Sequence, residues 1–223
     1  MEALGGEPIV VRPRTSDLYN ASWYYLDSIH RPPPAVRGEE LRQICELGSN
    51  IGAALTALAF EYPAARLVGV EPDAGCVGIA RENLARFGDR CQVVQAGVWD
   101  ENTELIVDQT SARGAHGFTV RKRSASDPGS LTGTPARTVD SILGEHLPEG
   151  DIDYIHMSIE GSEARVLEAG GEWARRTRSI RMELHPYSDF TATEATPLLE
   201  RLGFDAWPVP ELPDKWLYGL RRQ

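Results

Sequence analysis

A short apolar run that ends in a glycine-rich turn, residues 44–52 with the sequence ICELGSNIG, most constrains what this chain can fold into. Strong helix formers follow it over residues 53–60, so the pattern predicts a buried strand, a tight turn and a helix. Such a turn directs free backbone N–H groups at one point, and its glycines let a ligand approach the backbone closely. The stretch predicts an α/β domain with a ligand-binding turn, although an ordinary βα turn has the same pattern.

A second apolar run, residues 66–70, ends in an acid, Glu71, about 20 residues after Gly52. An acid at this position can accept hydrogen bonds from both hydroxyls of a ribose. The dinucleotide fingerprint G-x-G-x-x-G/A does not fit, because Asn50 stands where its second glycine is required. We therefore expect a nucleoside-type cofactor and rank an NAD-dependent oxidoreductase lower.

The spacing Glu46-x-Gly48-x-x-x-Gly52 resembles motif I of the class I S-adenosylmethionine-dependent methyltransferases. In that family the acid helps hold the methionine end of the cofactor, and the glycine turn passes beneath it. The ends of the predicted strands supply the remaining candidates, because ligands of open parallel sheets bind there. The predicted cofactor-binding residues are Glu46, Gly48, Ser49, Asn50, Gly52, Glu71, Pro72, Gly97, Val98 and Ser158.

Further along the chain, the pattern predicts alternating strands and helices, with an interruption. The predicted elements are a helix over 74–87 ended by Gly88, a strand over 91–98, a helix over 138–146, a strand over 151–159, a helix over 164–175, a strand over 179–184, a helix over 193–202, and strands over 204–209 and 216–221. Residues 100–134 break the alternation with two short strands, 104–107 and 117–120, and a polar loop, 124–134. This insertion would lie near the ligand and is a candidate for acceptor recognition.

Residues 153–163, with the sequence DYIHMSIEGSE, look like the signature of the FkbM methyltransferase family, whose common form is D-x-[IVL]-K-[IVL]-D-[VI]-E-G-x-E. Residues 138–142 and the pair Glu183-x-His185 also match that family. The resemblance covers the chain from about residue 40 to the end. It implies an α/β, Rossmann-like class I fold, with a seven-stranded, mostly parallel sheet, helices on both faces and an antiparallel last strand. It also implies methyl transfer from S-adenosylmethionine, usually to a hydroxyl of a sugar or natural product.

The sequence departs from the signature at two positions, with His156 in place of Lys and Ser158 in place of Asp. In metal-dependent relatives of the wider class, an Asp at that strand end can bind a divalent ion, whereas Ser is a poor ligand for a hard cation. We therefore favour a metal-free reaction and assign no metal ligand. A divalent metal held by Glu160, Glu183 and His185 remains a less favoured alternative.

An alcohol that accepts a methyl group must lose its proton, so the reaction calls for a general base. Glu160, Glu183 and His185 follow two strands that would be neighbours, and we expect them to converge on the acceptor side. We predict His185 as the base, because an ordinary histidine pKa of about 6.5 suits neutral pH. Glu160 would orient it or act as an alternative base, and Glu183 would hold it or pack inward. A loop histidine that satisfies backbone groups is the simpler interpretation of His185.

Residues 1–37 are predicted to form an N-terminal helical extension, and residues 38–223 the methyltransferase domain. The extension carries a cluster of aromatic side chains, namely Tyr19, Trp23, Tyr24 and Tyr25. These side chains would pack the extension onto the domain or onto a second subunit, so a homodimer is possible. Alternatively, they would form a lid over the site.

Charge and composition limit the classes of partner that we expect this protein to bind. A net charge of −10 disfavours a nucleic-acid partner. No run approaches the roughly 18 apolar residues of a membrane span, and the first residues lack the features of a secretory signal. Three cysteines without metal-ligand spacing are typical of a reduced, cytoplasmic protein. We expect a small-molecule acceptor and O-methylation; N- or C-methylation, or a nonenzymatic nucleoside-binding protein on the same fold, stays open.

Overall fold

A computed structural model of the protein describes residues 8–37, 40–108, 119–124, 133–185 and 190–222. The helices are α1 Asp17–Tyr25, α2 Ala53–Glu61, α3 Ala74–Leu84, α4 Val139–His146, α5 Glu163–Ala169, α6 Glu172–Arg176 and α7 Ala192–Arg201. The strands are β1 Gln43–Leu47, β2 Arg66–Glu71, β3 Cys91–Gln95, β4 Gly97–Val98, β5 Thr103–Asp108, β6 Thr119–Lys122, β7 Gly133–Arg137, β8 Ile152–Met157, β9 Thr177–Glu183, β10 Phe204–Pro208 and β11 Trp216–Arg221.

The central sheet has seven strands in the order β10-β11-β9-β8-β1-β2-β3. All of its strands run parallel except β11, which is antiparallel to both of its neighbours. Side chains of β1 alternate between two buried clusters, with Ile44 in one and Cys45 in the other. One cluster contains residues of α2, and the other contains residues of α4 to α7. The predicted mostly parallel α/β sheet with helices on both faces is confirmed.

A second sheet, in the order β4-β7-β5-β6, corrects the predicted strand over 91–98. The Ala96 N–H still donates to the Glu71 carbonyl at 3.1 Å, but Gly97 pairs with Ala136 of β7 and leaves the central sheet. A Cβ on Gly97 would lie 2.8 Å from the Leu105 side chain of β5 in the same sheet, so a larger residue at this position would require that side chain to shift. The two short strands of the insertion are present, residues 109–118 and 125–132 lie outside the described part, and β7 replaces the end of the predicted loop.

One predicted helix ends earlier than expected, and another is divided into two. Helix α3 stops at Leu84, and a 3-10 turn over Ala85–Arg90 follows, in which Gly88 has a φ of 58°. The predicted helix over 164–175 is divided into α5 and α6 at Gly170 and Gly171, which have φ values of 62° and 144°. Asp140 of α4 accepts hydrogen bonds from the N–H groups of Glu172, at 3.1 Å, and Trp173, at 2.5 Å, and so caps the start of α6.

The N-terminal segment is anchored to the sheet domain near the glycine turn. The Tyr25 hydroxyl donates to the Ala53 carbonyl at 2.9 Å, and the Asn83 amide donates to the carbonyls of Ile51 and Val10 at 2.9 and 3.1 Å. The Arg12 guanidinium donates two hydrogen bonds to the buried Asp17 carboxylate, from Nε at 2.9 Å and from Nη2 at 2.8 Å, and so fixes the start of α1. Among the described residues, no helix is long and apolar enough to cross a membrane.

Candidate active site

A cavity of about 500 Å³ opens where β1, β2, β8 and β9 end. The predicted site residues in its wall are Gly48, Ser49, Asn50, Glu71, Pro72, Gly97, Val98, Ser158, Glu160, Glu183 and His185. Glu46 and Gly52, both described, do not form part of that wall. Helix α1 contributes Tyr19, Trp23 and Tyr24, and the start of β11 contributes Trp216. The aromatic extension thus packs onto the domain and also lines the cavity.

The glycine turn is held between two strand ends. The N–H groups of Gly48 and Ser49 both donate to the Val70 carbonyl at 2.9 Å. Gly48 has a φ of +88°, and a Cβ there would lie 1.8 Å from the Ser158 carbonyl oxygen. Glycine is therefore required at this position both for its backbone conformation and for the approach of the Ser158 backbone. Gly52 has another role: it precedes α2 with a φ of 74° and packs against Ala80.

Glu71 is placed to bind hydroxyl groups. Its carboxylate accepts hydrogen bonds from the N–H groups of Asn50 and Asp73, each at 2.9 Å and each to a different oxygen. Burial raises the pKa of Glu71 to about 7, against the effect of these two hydrogen bonds. Each oxygen keeps a further lone pair for a ligand donor such as a ribose hydroxyl.

Two further polar groups at the turn suit a polar ligand. The Ser49 hydroxyl and the Asn50 side-chain carbonyl oxygen are buried without a hydrogen-bond partner in the described part of the chain. Both residues line the cavity. Because buried polar groups are normally paired, these atoms, with Glu71 and the glycine turn, fit a nucleoside-type cofactor.

A histidine and three carboxylates meet at the other side of the cavity. His185 Nδ1 lies 2.9 Å from Glu163 Oε1, and its Nε2 lies 3.6 Å from Glu183 and 3.7 Å from Glu160. Glu163 is 1% exposed and also accepts hydrogen bonds from the N–H groups of Ile159 and Gly161, at 2.9 and 2.8 Å. One buried carboxylate thus fixes both the loop that carries Glu160 and the orientation of the imidazole.

Glu163 is absent from the site residues predicted from the sequence, although it closes the E-G-x-E part of the signature. The expectation that His185 has an ordinary pKa was wrong, because Glu163 contacts its imidazole. Burial alone lowers the pKa of His185, but the hydrogen bond and charge of Glu163, and then the charges of Glu183 and Glu160, raise it to about 9. At pH 7 only about one imidazole in a hundred is therefore neutral.

Glu183 faces the cavity and is held from two sides. The Ser158 hydroxyl donates to one of its oxygens at 2.6 Å, and the Lys215 ammonium pairs with the other at 3.1 Å. Lys215 Nζ also lies 3.7 Å from the centre of the Trp23 ring. Ser158, which stands in place of the signature Asp, thus orients a neighbouring carboxylate. Within the described ranges, no group of three or more His, Cys, Asp and Glu side chains is arranged to hold a metal ion.

Glu46 and His156 form a buried pair beside the cavity. His156 Nδ1 lies 3.4 Å from Glu46 Oε1, and the two side chains are 0% and 1% exposed. The imidazole stacks on Trp216, with ring centres 5.4 Å apart. Burial raises the pKa of Glu46 and lowers that of His156, and so favours the uncharged form of each. Glu46 therefore packs behind the wall that the cofactor is expected to contact.

The strand order, the single antiparallel strand, the glycine turn and the acid at the end of β2 define the Rossmann-like fold of the class I S-adenosylmethionine-dependent methyltransferases. The Methyltransferase FkbM domain matches residues 46–206. This chain belongs to the FkbM methyltransferase family, and it is an S-adenosylmethionine-dependent methyltransferase.

Solved structures agree on the fold. The delta-N METTL16 MTase domain is 14% identical, with 99% of this chain and 90% of that chain covered and a TM-score of 0.55. A putative caffeoyl-CoA O-methyltransferase from Staphylococcus aureus is 11% identical, with 98% and 88% covered and a TM-score of 0.51. A precorrin-6y C5,15-methyltransferase from Geobacter metallireducens is 13% identical, with 84% and 83% covered and a TM-score of 0.50. No curated protein matches the sequence significantly.

Proposed function

We propose that this methyltransferase transfers the methyl group of S-adenosylmethionine to a hydroxyl group of a small molecule, a sugar or a natural product. The observation that carries the proposal is that one cavity contains both a nucleoside-type binding turn and a histidine–carboxylate cluster suited to remove a hydroxyl proton. The ends of β2 and β9 are separated by β1 and β8, so they lie three strand spacings apart, about 14 Å. Glu71 at one end and His185 at the other leave room for a cofactor and an acceptor between them.

The bound cofactor supplies an electrophilic methyl group on a sulfonium. Glu71 accepts hydrogen bonds from the nucleoside hydroxyls. The Ser49 hydroxyl and the Asn50 side-chain carbonyl oxygen, which have no partner in the described part of the chain, contact other polar groups of the cofactor. Trp23 and Trp216 contribute aromatic surface to the cavity wall. An acceptor held in this space is oriented for in-line attack.

His185 takes the proton of the acceptor hydroxyl at Nε2. The Glu163 carboxylate lies 2.9 Å from Nδ1, and its charge favours the tautomer that carries the proton there, which leaves Nε2 as the basic nitrogen of the neutral ring. Glu183 and Glu160, at 3.6 and 3.7 Å, stabilise the imidazolium that forms. Because the neutral imidazole is required, the rate should rise with pH until about pH 9, where half of the free enzyme carries a neutral ring.

Methyl transfer from labelled S-adenosylmethionine to a panel of sugars, phenols and polyols tests the proposal, with products identified by mass spectrometry. His185→Gln should retain affinity for S-adenosylhomocysteine and lose turnover. His146→Gln is the matched control, because His146 lies on α4 and outside the cavity wall. Full turnover in His185→Gln would remove His185 from the mechanism. A wild-type rate that falls above pH 9 would mean that the imidazolium is the active form and that a carboxylate is the base.

A further inference from the structure

The ammonium group of Lys215 is part of the acceptor side of the cavity. Lys215 directly precedes β11, which pairs with β9, so its side chain lies beside the end of the strand that carries Glu183. Its Nζ is 3.1 Å from Glu183 and 3.7 Å from the centre of the Trp23 ring. An acidic group and an aromatic face together bind an ammonium ion, and this pair holds one that belongs to the chain itself.

The same carboxylate connects Lys215 to the base. Glu183 Oε2 lies 3.6 Å from His185 Nε2, and the same oxygen accepts the Ser158 hydroxyl hydrogen bond. Lys215 Nζ therefore lies next to the group that would take a proton from an acceptor. It is also the one nucleophilic nitrogen on a flexible side chain among the described residues of the cavity wall, since the only other lysine, Lys122, is in β6.

We infer that Lys215 is a site of self-methylation, in which its Nζ attacks the methyl group of bound S-adenosylmethionine when no acceptor is present. The inference rests on the proposed function, because it uses the same methyl donor and the same side of the cavity. The Lys215 ammonium first loses one proton to water, which leaves a neutral amine. Its lone pair then attacks the methyl group, the N–C bond forms as the S–C bond breaks, S-adenosylhomocysteine leaves, and the product is a positively charged methylammonium.

The contacts of Lys215 suit the product as well as the reactant. A methylated lysine keeps its positive charge, so its attraction to Glu183 and to the Trp23 ring persists. It loses one N–H donor, and the added methyl group occupies part of the space where an acceptor would bind. Self-methylation would therefore compete with acceptor turnover.

The experiment incubates the purified full chain with S-adenosylmethionine alone and follows its intact mass and its peptides. We expect a mass gain of one methyl group, located on Lys215 and absent from Lys122. Lys122 is the built-in control, because it pairs with Glu101 outside the cavity and is more than half exposed. Lys215→Arg should abolish the gain, whereas Lys122→Arg should leave it unchanged. The rate per molecule should not depend on protein concentration, since the reaction occurs within one chain.

Binding of S-adenosylhomocysteine, measured by calorimetry on the same samples, separates the two proposals. If it binds and Lys215 stays unmodified, self-methylation is wrong and the proposed function stands. Equal labelling of Lys122 and Lys215 would show a non-enzymatic reaction and would also overturn the inference. If S-adenosylhomocysteine does not bind, both proposals fail together.

Discussion

Replacing Glu163 by Gln tests how the protein controls the base. Glu163 is 1% exposed and lies 2.9 Å from Nδ1 of His185, so its negative charge acts on the imidazole with little screening by water. Gln has the same shape and keeps an oxygen that can accept the Nδ1 hydrogen bond, but it carries no charge. The substitution therefore removes the charge and also one of the two backbone hydrogen bonds that Glu163 accepts from Ile159 and Gly161, because the Gln NH2 group cannot accept.

The size of the effect follows from the raised pKa. A rise from 6.5 to about 9 corresponds to about 3 kcal/mol in favour of the imidazolium, at about 1.4 kcal/mol per pH unit. Glu163 is the largest of the contributions that raise the pKa, and burial acts against all of them. We expect the pKa of His185 in Glu163→Gln to fall by about 1–3 pH units, the range found for a nearby opposite charge.

The same shift links the site to stability. Because the folded pKa of His185 lies above its ordinary value, its contribution to the free energy of unfolding is complete below about pH 6.5 and is lost as the pH rises through about 9. In Glu163→Gln this loss should shrink and occur at lower pH. Chemical unfolding of both proteins between pH 6 and pH 10, roughly the window of this titration, measures the difference.

The assay is an NMR titration of the imidazole Cε1–Hε1 signals, which is practical because the chain has five histidines. His185→Gln assigns the signal, and Glu168→Gln, an exposed position on the same helix α5, is the matched control. Wild type and control should titrate at about pH 9. If His185 still titrates at about pH 9 in Glu163→Gln, Glu163 does not set its pKa. The raised pKa would then have to come from the charges of Glu183 and Glu160.

Three further predictions concern the turn, the cofactor acid and the extension. Gly48→Ala should lower stability by at least about 1–3 kcal/mol, because its φ of +88° is strained for Ala and the new Cβ would meet the Ser158 carbonyl; an unchanged melting temperature would contradict this. Affinity for S-adenosylhomocysteine should weaken as the pH falls below about 7, since Glu71 then gains a proton, and Glu71→Gln should remove this dependence; calorimetry at several pH values decides. Asp17→Asn should lower the free energy of unfolding by about 1.5–3 kcal/mol, because the hydrogen bonds between Arg12 and the carboxylate lose their charge; an unchanged free energy of unfolding would refute that role.

The sequence indicates which residues the sheet brings to one cavity. Parallel strands end at the same edge, so residues that follow different strands, such as Glu71 and Ser158, are brought to one cavity whatever lies between them in the chain. The glycine turn is encoded locally, because only glycine tolerates the backbone conformation and the close approach at position 48.

Contacts between distant parts of the chain could not be predicted in this way. Trp23 and Lys215 meet because α1 and the segment before β11 both border the cavity, and no local pattern relates them. The pKa of His185 depends on a carboxylate buried by tertiary packing, so the ordinary value was the wrong expectation. The break at Gly170 and Gly171 depends on Asp140 of another helix, which caps α6.

Thermal melting of the protein with S-adenosylhomocysteine and, separately, with NAD tests whether the cavity binds a methyl donor. A ligand that binds the native state at about 100 times its dissociation constant stabilises it by about 2.7 kcal/mol. We expect a clear rise in melting temperature with S-adenosylhomocysteine, a smaller rise in Glu71→Gln, and no rise with NAD. A rise with NAD and none with S-adenosylhomocysteine would contradict the methyl-donor site.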